Sequence, residues 1–402
     1  MLRSLFSGIS GLKAHQTMMD VVGNNIANVN TTGFKSSNVV FEDTLSQLIR
    51  ASSAPTATTG GMNPTQVGLG VQIGAVQTNF LQGSAQTTNK ATDLMIQGDG
   101  FFVLQNGNNT VYSRAGAFTL DTDGNLINSD GMYAMGYAAS AGVVNSFGAL
   151  TKIHLPTGLS VPGAATTTVN LGGNVSPTGT NELTLTPTVY DANGAAYAVP
   201  MKLTPHVPAD GGYDVTVLDP ADNTNVLASG NVAFDAAGGF DPAASTSPIS
   251  FTVGGVAMNL DLTGLTGYAG TSSPTPTKID GYSSGSLTQF QIGDDGVVTG
   301  IFSNNQKQAL GQMALATFNN PSGLEKLGDS TYTTSANSGL AAVGVPNSAG
   351  RGGLISGALE MSNVDLAAEF TNMIIAQRGF EANSKTISAS DEMLQDLVNL
   401  KR

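Results

Sequence analysis

Residues 2–26 read Leu2-Arg-Ser-Leu-Phe-Ser-Gly-Ile-Ser-Gly-Leu-Lys-Ala-His-Gln-Thr-Met-Met-Asp-Val-Val-Gly-Asn-Asn-Ile26. Leu2, Leu5, Ile9, Leu12, Gln16, Met19, Gly23 and Ile26 recur at alternating spacings of three and four, and six of these eight are apolar, a coiled-coil stripe on one long helix. The stretch Asn24-Asn-Ile-Ala-Asn-Val-Asn-Thr-Thr-Gly33 favours left-handed caps and turns and ends it. At the other end Leu366, Met373, Phe380, Ile387 and Leu394 recur every seven residues, with Phe370 and Val398 at interleaved positions. Ser362 followed by Asp365 predicts a capping-box start there, and Lys401-Arg402 places positive charge at the negative end of the helix dipole. At 1.5 Å per residue the two ends are rods of about 40 Å and about 55 Å.

Between the ends the texture is that of β-structure. Asp-Gly begins at 99, 123, 130, 210, 280 and 295 and Asn-Gly at 106 and 193, dipeptides that hairpin turns prefer. Phe101-Phe-Val-Leu, Val111-Tyr, Ala117-Phe-Thr-Leu, Leu183-Thr-Leu-Thr, Tyr213-Asp-Val-Thr-Val-Leu and Ile249-Ser-Phe-Thr-Val fit strands of a sandwich or barrel. Residues 146–280 hold three basic and ten acidic residues and are rich in Thr, Gly, Ala and Pro, which marks an inserted, exposed β-module. Ala51 to Gln66 is polar and punctuated by Pro and Gly, as a connector or mobile segment would be. The fold class is therefore mainly β with long terminal α-helices.

The 402 residues suffice for two to four domains at ~150 each. Charged residues make up 11% against an ordinary ~25%, with 16 basic and 29 acidic. A net charge of -13 disfavours nucleic acid and anionic membrane as partners, since both need a basic footprint. No apolar run reaches the ~20 residues of a membrane span, and the start lacks the apolar core and cleavage pattern of a Sec-type signal. Without cysteine there is no disulfide, thiolate nucleophile or cysteine-ligated metal.

Chemistry is sought and not found. His15, His154 and His206 lie far apart, with no zinc-protease spacing. Gly68-Leu-Gly-Val-Gln-Ile-Gly74 has neither dinucleotide nor phosphate-loop spacing. Asp121-Thr-Asp-Gly-Asn125 resembles a calcium loop, but Leu126 and Met132 stand where that loop wants Gly and Glu, and a hairpin turn explains it. Asp294-Asp295 beside a Gly also reads as a turn. No catalytic residue, cofactor or metal is expected, and the protein is not expected to be an enzyme. The helical stripes alone bury little against the backbone entropy of so many residues, so both ends are expected to become ordered by packing with neighbouring copies.

Two sets of motifs stand at the ends: Ser7-Gly-Ile-Ser-Gly-Leu12, Asp20-Val-Val-Gly-Asn-Asn-Ile-Ala-Asn28 and Thr32-Gly-Phe-Lys35, then Gly357-Ala-Leu-Glu-Met-Ser-Asn-Val-Asp365, Gln377-Arg-Gly-Phe380, Ala382-Asn-Ser-Lys385 and Asp391-Glu-Met-Leu394. On these residues the ends resemble the bacterial flagellar rod and hook axial proteins. Asp93-Leu-Met-Ile-Gln-Gly-Asp-Gly-Phe-Phe-Val-Leu104 and Tyr112-Ser-Arg-Ala-Gly-Ala-Phe118 extend the resemblance inward. The family positions are Asn24, Asn25, Asn28, Gly33, Phe34, Lys35, Asn363, Asp365, Arg378, Gly379 and Phe380. The assembly positions are Leu2, Leu5, Ile9, Leu12, Met19, Ile26, Leu366, Phe370, Met373, Phe380, Ile387, Leu394 and Val398. Length, the β insertion and the block from Gly281-Tyr-Ser-Ser-Gly-Ser-Leu287 to Ala309-Leu-Gly-Gln-Met-Ala-Leu315 look like the hook members of the family.

The resemblance implies discontinuous stacked domains: a terminal helical domain of 1–30 and 362–402, a connecting segment of 31–74 and 340–361, an inner β domain of 75–145 and 281–339, and an outer inserted β domain of 146–280. It further implies a homopolymer of many copies forming a curved, flexible tube that transmits torque from rod to filament as a universal joint. Implied partners are the rod, hook cap and hook–filament junction proteins and the export apparatus, with type III export and no cleaved signal. The place is the extracellular hook segment next to the basal body. Asp43 to Gln66 is longer than the joins of many hooks and closer to the distal-rod pattern, which keeps a distal rod protein as the alternative. A secreted β-rich binding module would explain the turns and the acidity but not two matched helical ends.

Overall fold

The structure is a computed structural model that describes residues 2–55, 59–140, 142–156, 158–206 and 211–399; the side chains of Leu2, Arg3, Leu397 and Val398 lie outside the described set. The stripe positions Leu2 and Val398, the terminal Lys401-Arg402 pair and the Asp-Gly step at 210 therefore lie outside what is described. The chain forms two compact units: Met1–Pro156 with Gln291–Thr299 and Ala309–Arg402, and Thr157–Phe290 with Gly300–Gln308. As expected from the sequence, it is mostly β with a long helix at each end. Among the described residues no helix is long and apolar enough to cross a membrane.

In the first unit, α1 (Leu2–Ala27) opens the chain and α2 (Leu366–Asn399) closes it. Strands β1 (Ser37–Asp43), β2 (Ser46–Arg50), β3 (Thr65–Gly68) and β4 (Val71–Thr78) form one antiparallel ribbon, with β1 on β4 and β2 on β3. This corrects the reading of 51–66 as a connector. Its described part is the end of a hairpin, bridged at Ser53 and Met62, and Pro and Gly punctuate the tip of a paired ribbon. β5 (Ala85–Thr87) pairs with Ala358–Glu360 and β6 (Leu94–Gln97) with Gly353–Ser356, two short ribbons that join the C-terminal motif to the first third of the chain. β7 (Phe101–Asn106) and β8 (Asn109–Ser113) form a hairpin flanked by Tyr133–Ser140 and Thr331–Thr333. Its core is aromatic: Phe101, Tyr112, Phe318, Tyr332 and Phe80 pack with neighbouring ring centroids between 4.9 and 5.8 Å.

The second unit holds two four-stranded sheets whose inner faces share one apolar core, with Val169, Leu171, Phe251, Met258 and Leu260 from one sheet and Met201, Leu203, Tyr213, Val215 and Val217 from the other. The strand Ile249–Val253 shows the rule that builds it: Ile249, Phe251 and Val253 are buried, Ser250 and Thr252 exposed.

The hairpins use a signal wider than Asp-Gly. In Asp121-Thr-Asp-Gly124, Asp191-Ala-Asn-Gly194 and Asp235-Ala-Ala-Gly238 the leading carboxylate accepts backbone N–H groups two and four residues on, and the glycine has positive φ. Both carboxylate oxygens of Asp121 are thereby engaged by their own loop, Oδ2 taking the Asn125 amide at 2.8 Å. Asp280-Gly281 does not follow the expected turn: the Asp280 carboxylate instead accepts the N–H groups of Thr167 and Thr168. The helix start is also corrected. Asp365, not Ser362, caps α2, its Oδ1 accepting from Ala367 N at 2.9 Å and Ala368 N at 3.3 Å.

Candidate functional site

The helices pair antiparallel through small and polar residues. Ser4 and Ser390 hydroxyls lie 3.3 Å apart, Gly8 abuts Ile387, Gly11 abuts Asn383, His15 covers Gly379, and Asn25 Nδ2 donates to Glu369 Oε1 at 3.0 Å. A Cβ on Gly8 would stand 3.1 Å from Ile387 Cγ1, so the glycines set how closely the helices approach. On α1 the seam runs one position before the apolar stripe, while Ile387 of the α2 stripe packs into it. Gly8, Gly11 and Asn25 each precede a stripe residue (Ile9, Leu12, Ile26) by one position, a rotation of about 100° around a helix.

Leu5, Leu12, Met19 and Ile26 are half-buried, and Ile9 is 53% exposed beside Phe6 at 67%. On α2, Met373, Phe380, Ile387 and Leu394 are half-buried, whereas Leu366 and Phe370 are exposed with Ile374 and Ile375. Phe370 is 51% and Ile374 58% exposed, one helical turn apart. The paired helices thus expose apolar surface while mainly glycine, serine and amide groups, with Ile387, meet between them. Arg378 is exposed and pairs with Glu381 at 3.1 Å.

Below the helices the chain ends meet at a buried charged node. Lys35 and Glu360 are fully buried with Nζ 2.6 Å from Oε1, and Arg114 Nη1 stands 3.6 Å from Oε2. Lys35 Nζ also donates to Leu81 O at 2.8 Å, Gly83 N donates to Glu360 Oε1 at 2.9 Å, and Gly33 N donates to Glu360 O at 2.8 Å. Burial lowers the Lys35 ammonium pKa, partly offset by Glu360, and lowers that of the Arg114 guanidinium, opposed by Glu360 and Asp99. Arg114 also lies over the Phe101 ring at 5.3 Å. Burial pushes the nearby Tyr332 hydroxyl up to about 12.

The remaining family positions surround this node. Asn25 closes a two-way bond with Ser37, accepting its N–H at 3.0 Å and donating to its O at 2.8 Å. Asn363 accepts Ser36 N at 2.8 Å and donates to Asn79 O at 2.8 Å. Gly33 has φ 67°, and a Cβ there would stand 2.5 Å from Ala115 N. Asn24 and Asn28 bond to each other at the end of α1, and Phe34 faces Lys326 Nζ at 5.3 Å. Sequence reasoning assigned no role to Arg114, Glu360 or Glu369. In a chain with so few charges, Arg114 inside Tyr112-Ser-Arg and Glu360 inside Gly357-Ala-Leu-Glu were the available signal.

Among the described residues no group of three or more His, Asp or Glu converges as metal ligands would. Four family descriptions match the chain: flagella basal body rod protein over 5–35, flagellar hook protein FlgE/F/G D1 domain over 95–177, flagellar basal body protein FlaE D2 domain over 162–282, and flagellar basal body rod FlgEFG protein C-terminal over 355–400. The chain is 38% identical to the flagellar hook protein FlgE of Borreliella burgdorferi over 443 aligned residues, covering 100% of both chains. It belongs to the flagellar hook protein FlgE family. Membership extends toward the rod proteins: identity to the flagellar basal-body rod protein FlgG of Bacillus subtilis is 34%, again over 100% of both. The crystal structure of the Helicobacter pylori flagellar hook protein FlgE2 shares the fold, with a TM-score of 0.53 at 14% identity over 69% of this chain and 100% of that one. The family's N-terminal and C-terminal matches cover α2 and all of α1 from Leu5 on, and Lys35 and Glu360 fall inside them.

Proposed function

We propose that this chain is the structural subunit of the flagellar hook, with no enzymatic role. Many copies polymerise into a curved, flexible tube that joins rod to filament and acts as a universal joint. The carrying observation is the inversion on the helices: small and polar residues face the partner helix, while Phe6, Ile9, Phe370, Ile374 and Ile375 stay exposed. Apolar residues on two adjacent helices cost solvation unless another surface covers them, and further copies of the same helices supply one. Neighbouring copies cover those exposed side chains and hold the helices in place.

The proposed organisation is a stack: 1–30 with 362–402 line the tube, 31–74 with 340–361 connect, 75–145 with 281–339 form the inner β layer, and 146–280 the outer one. Few ion pairs link exposed groups in the second unit, Lys202 to Glu182 and His206 to Asp214 among the described residues, so surfaces there slide without breaking strong contacts. The subunit leaves by type III export without signal cleavage and meets the rod, the hook cap and the hook–filament junction proteins in the extracellular hook segment.

A distal rod protein is the second reading. The ribbon from β1 to β4 favours it, because Leu45, Leu48, Ile49, Met62 and Val67 stand exposed along its outer half, as a bracing contact between copies would require. Electron microscopy of purified protein after induced assembly separates the two: curved tubes support the hook, and straight rods the alternative. Deleting residues 1–26 should abolish polymerisation; retained polymerisation would remove the helical basis of both readings.

A further inference from the structure

The first unit contains a cleft of about 680 Å³ that the scaffold does not use. This volume lies within the ~300–1,000 Å³ of small-ligand and side-chain pockets. Its lining includes Arg114, Asp99, the amides Gln77 and Asn79, and Leu81. Arg114 is 2% exposed, yet its Nε and Nη1 have no hydrogen-bond partner. Glu360 Oε2, also without one, stands at 3.6 Å, beyond hydrogen-bond length. A buried guanidinium carries five donors in a planar fork and is costly when they are unmet.

The node beneath holds two cations, Lys35 and Arg114, against one carboxylate, Glu360, so it carries one positive charge in excess. Asp99, exposed on the cleft lining, adds a weaker, solvent-screened attraction to Arg114. We propose that this cleft receives a carboxylate side chain from a second copy of the chain, which fixes one subunit against the next through Arg114. A carboxylate presents two coplanar oxygens that match the fork. The chain itself supplies such groups in excess, 29 acidic residues to 16 basic. The walls suit a polypeptide: amide side chains meet main-chain groups, and Leu81, 71% exposed, offers apolar contact to the same incoming segment. The inference rests on the polymer reading and adds a contact to it outside the helices.

The test uses the absence of cysteine. Ser322→Cys, on the cleft lining, gives the full-length chain a unique handle for a benzophenone maleimide. After assembly and irradiation, mass spectrometry should find adducts between copies whose partner peptide contains Asp or Glu. Adding Gln77→Glu to the exposed wall, which leaves the node untouched, should lower their yield about fivefold or more, because like charges across an interface repel. If polymers form normally but adducts stay within one chain, join peptides without an acidic residue or ignore Gln77→Glu, the inference fails while the polymer reading stands. If the parent chain does not polymerise, both fall.

Discussion

The node at Glu360 and the outer faces of the terminal helices belong to the same compact unit, yet opposite physics governs them. At the node, charges that prefer water are held in the interior by partners from three distant parts of the chain, Lys35, Arg114 and Glu360. On the helices, side chains that prefer the interior are held in water, Phe370 and Ile374 among them. The node is satisfied mainly within one copy and fixes how the chain ends enter the inner sheet. The helix faces leave apolar side chains in water, and the proposed polymer would cover them. Mutations at the first should be read in the stability of the monomer, and mutations at the second in assembly.

The largest effect on folding is expected at the node. Glu360→Ala strands Lys35 and Arg114 as buried cations without a counter-charge, and losing one partner of a buried pair costs about 3–5 kcal/mol. Thermal unfolding of the monomer should show that loss. A cost below about 1 kcal/mol would mean that the node is open to water in solution. Next comes Gly33→Ala, which forces a Cβ into a left-handed backbone against Ala115 and should cost about 1–3 kcal/mol. Denaturant titration checks it, with an unchanged midpoint as the contrary result.

Much of this contrast was legible in the sequence. The helices, the β interior and the principal strands follow from periodicity and turn chemistry, because heptad spacing and two-residue alternation are local properties. Which face of α1 meets α2 was not, because hydrophobicity marks what must be covered somewhere and does not name the partner. Gly8, Gly11 and Gly379 carry no hydrophobic signal, yet they set the close approach. The ribbon was missed for a related reason: residues 51–66 are turn-rich, and most of the strand residues that pair around them lie outside that window. The node needed Lys35, Arg114 and Glu360 together, and contacts over hundreds of residues leave no local pattern.

The smallest of the folding effects is expected where the two regions meet, at Glu369. Burial raises its carboxyl pKa above the ordinary carboxylate range, the Asn25 hydrogen bond offsets part of the shift, and Asp365 adds to it. A raised carboxyl favours the protonated form in the folded chain, so its contribution is fully present in acid and is lost as pH rises through the folded value. Glu369 Oε2 is buried without a partner. Glu369→Gln should keep an acceptor for Asn25 and stabilise the monomer by up to about 1 kcal/mol at pH 7. The advantage should shrink toward pH 4. A variant less stable than the parent at pH 7 would show that the charge is needed.

The division of labour is tested most directly by the critical concentration for polymerisation of Phe370→Ser, measured by sedimentation beside the melting temperature of the monomer. Burying a phenylalanine between copies contributes about 1.5–3 kcal/mol, which corresponds to at least about a tenfold rise in critical concentration on its removal. The expected result is that rise with a monomer melting temperature unchanged within error. An unchanged critical concentration, or a monomer that melts much earlier, would place Phe370 inside the single-copy fold and overturn the assignment of the helix faces to assembly.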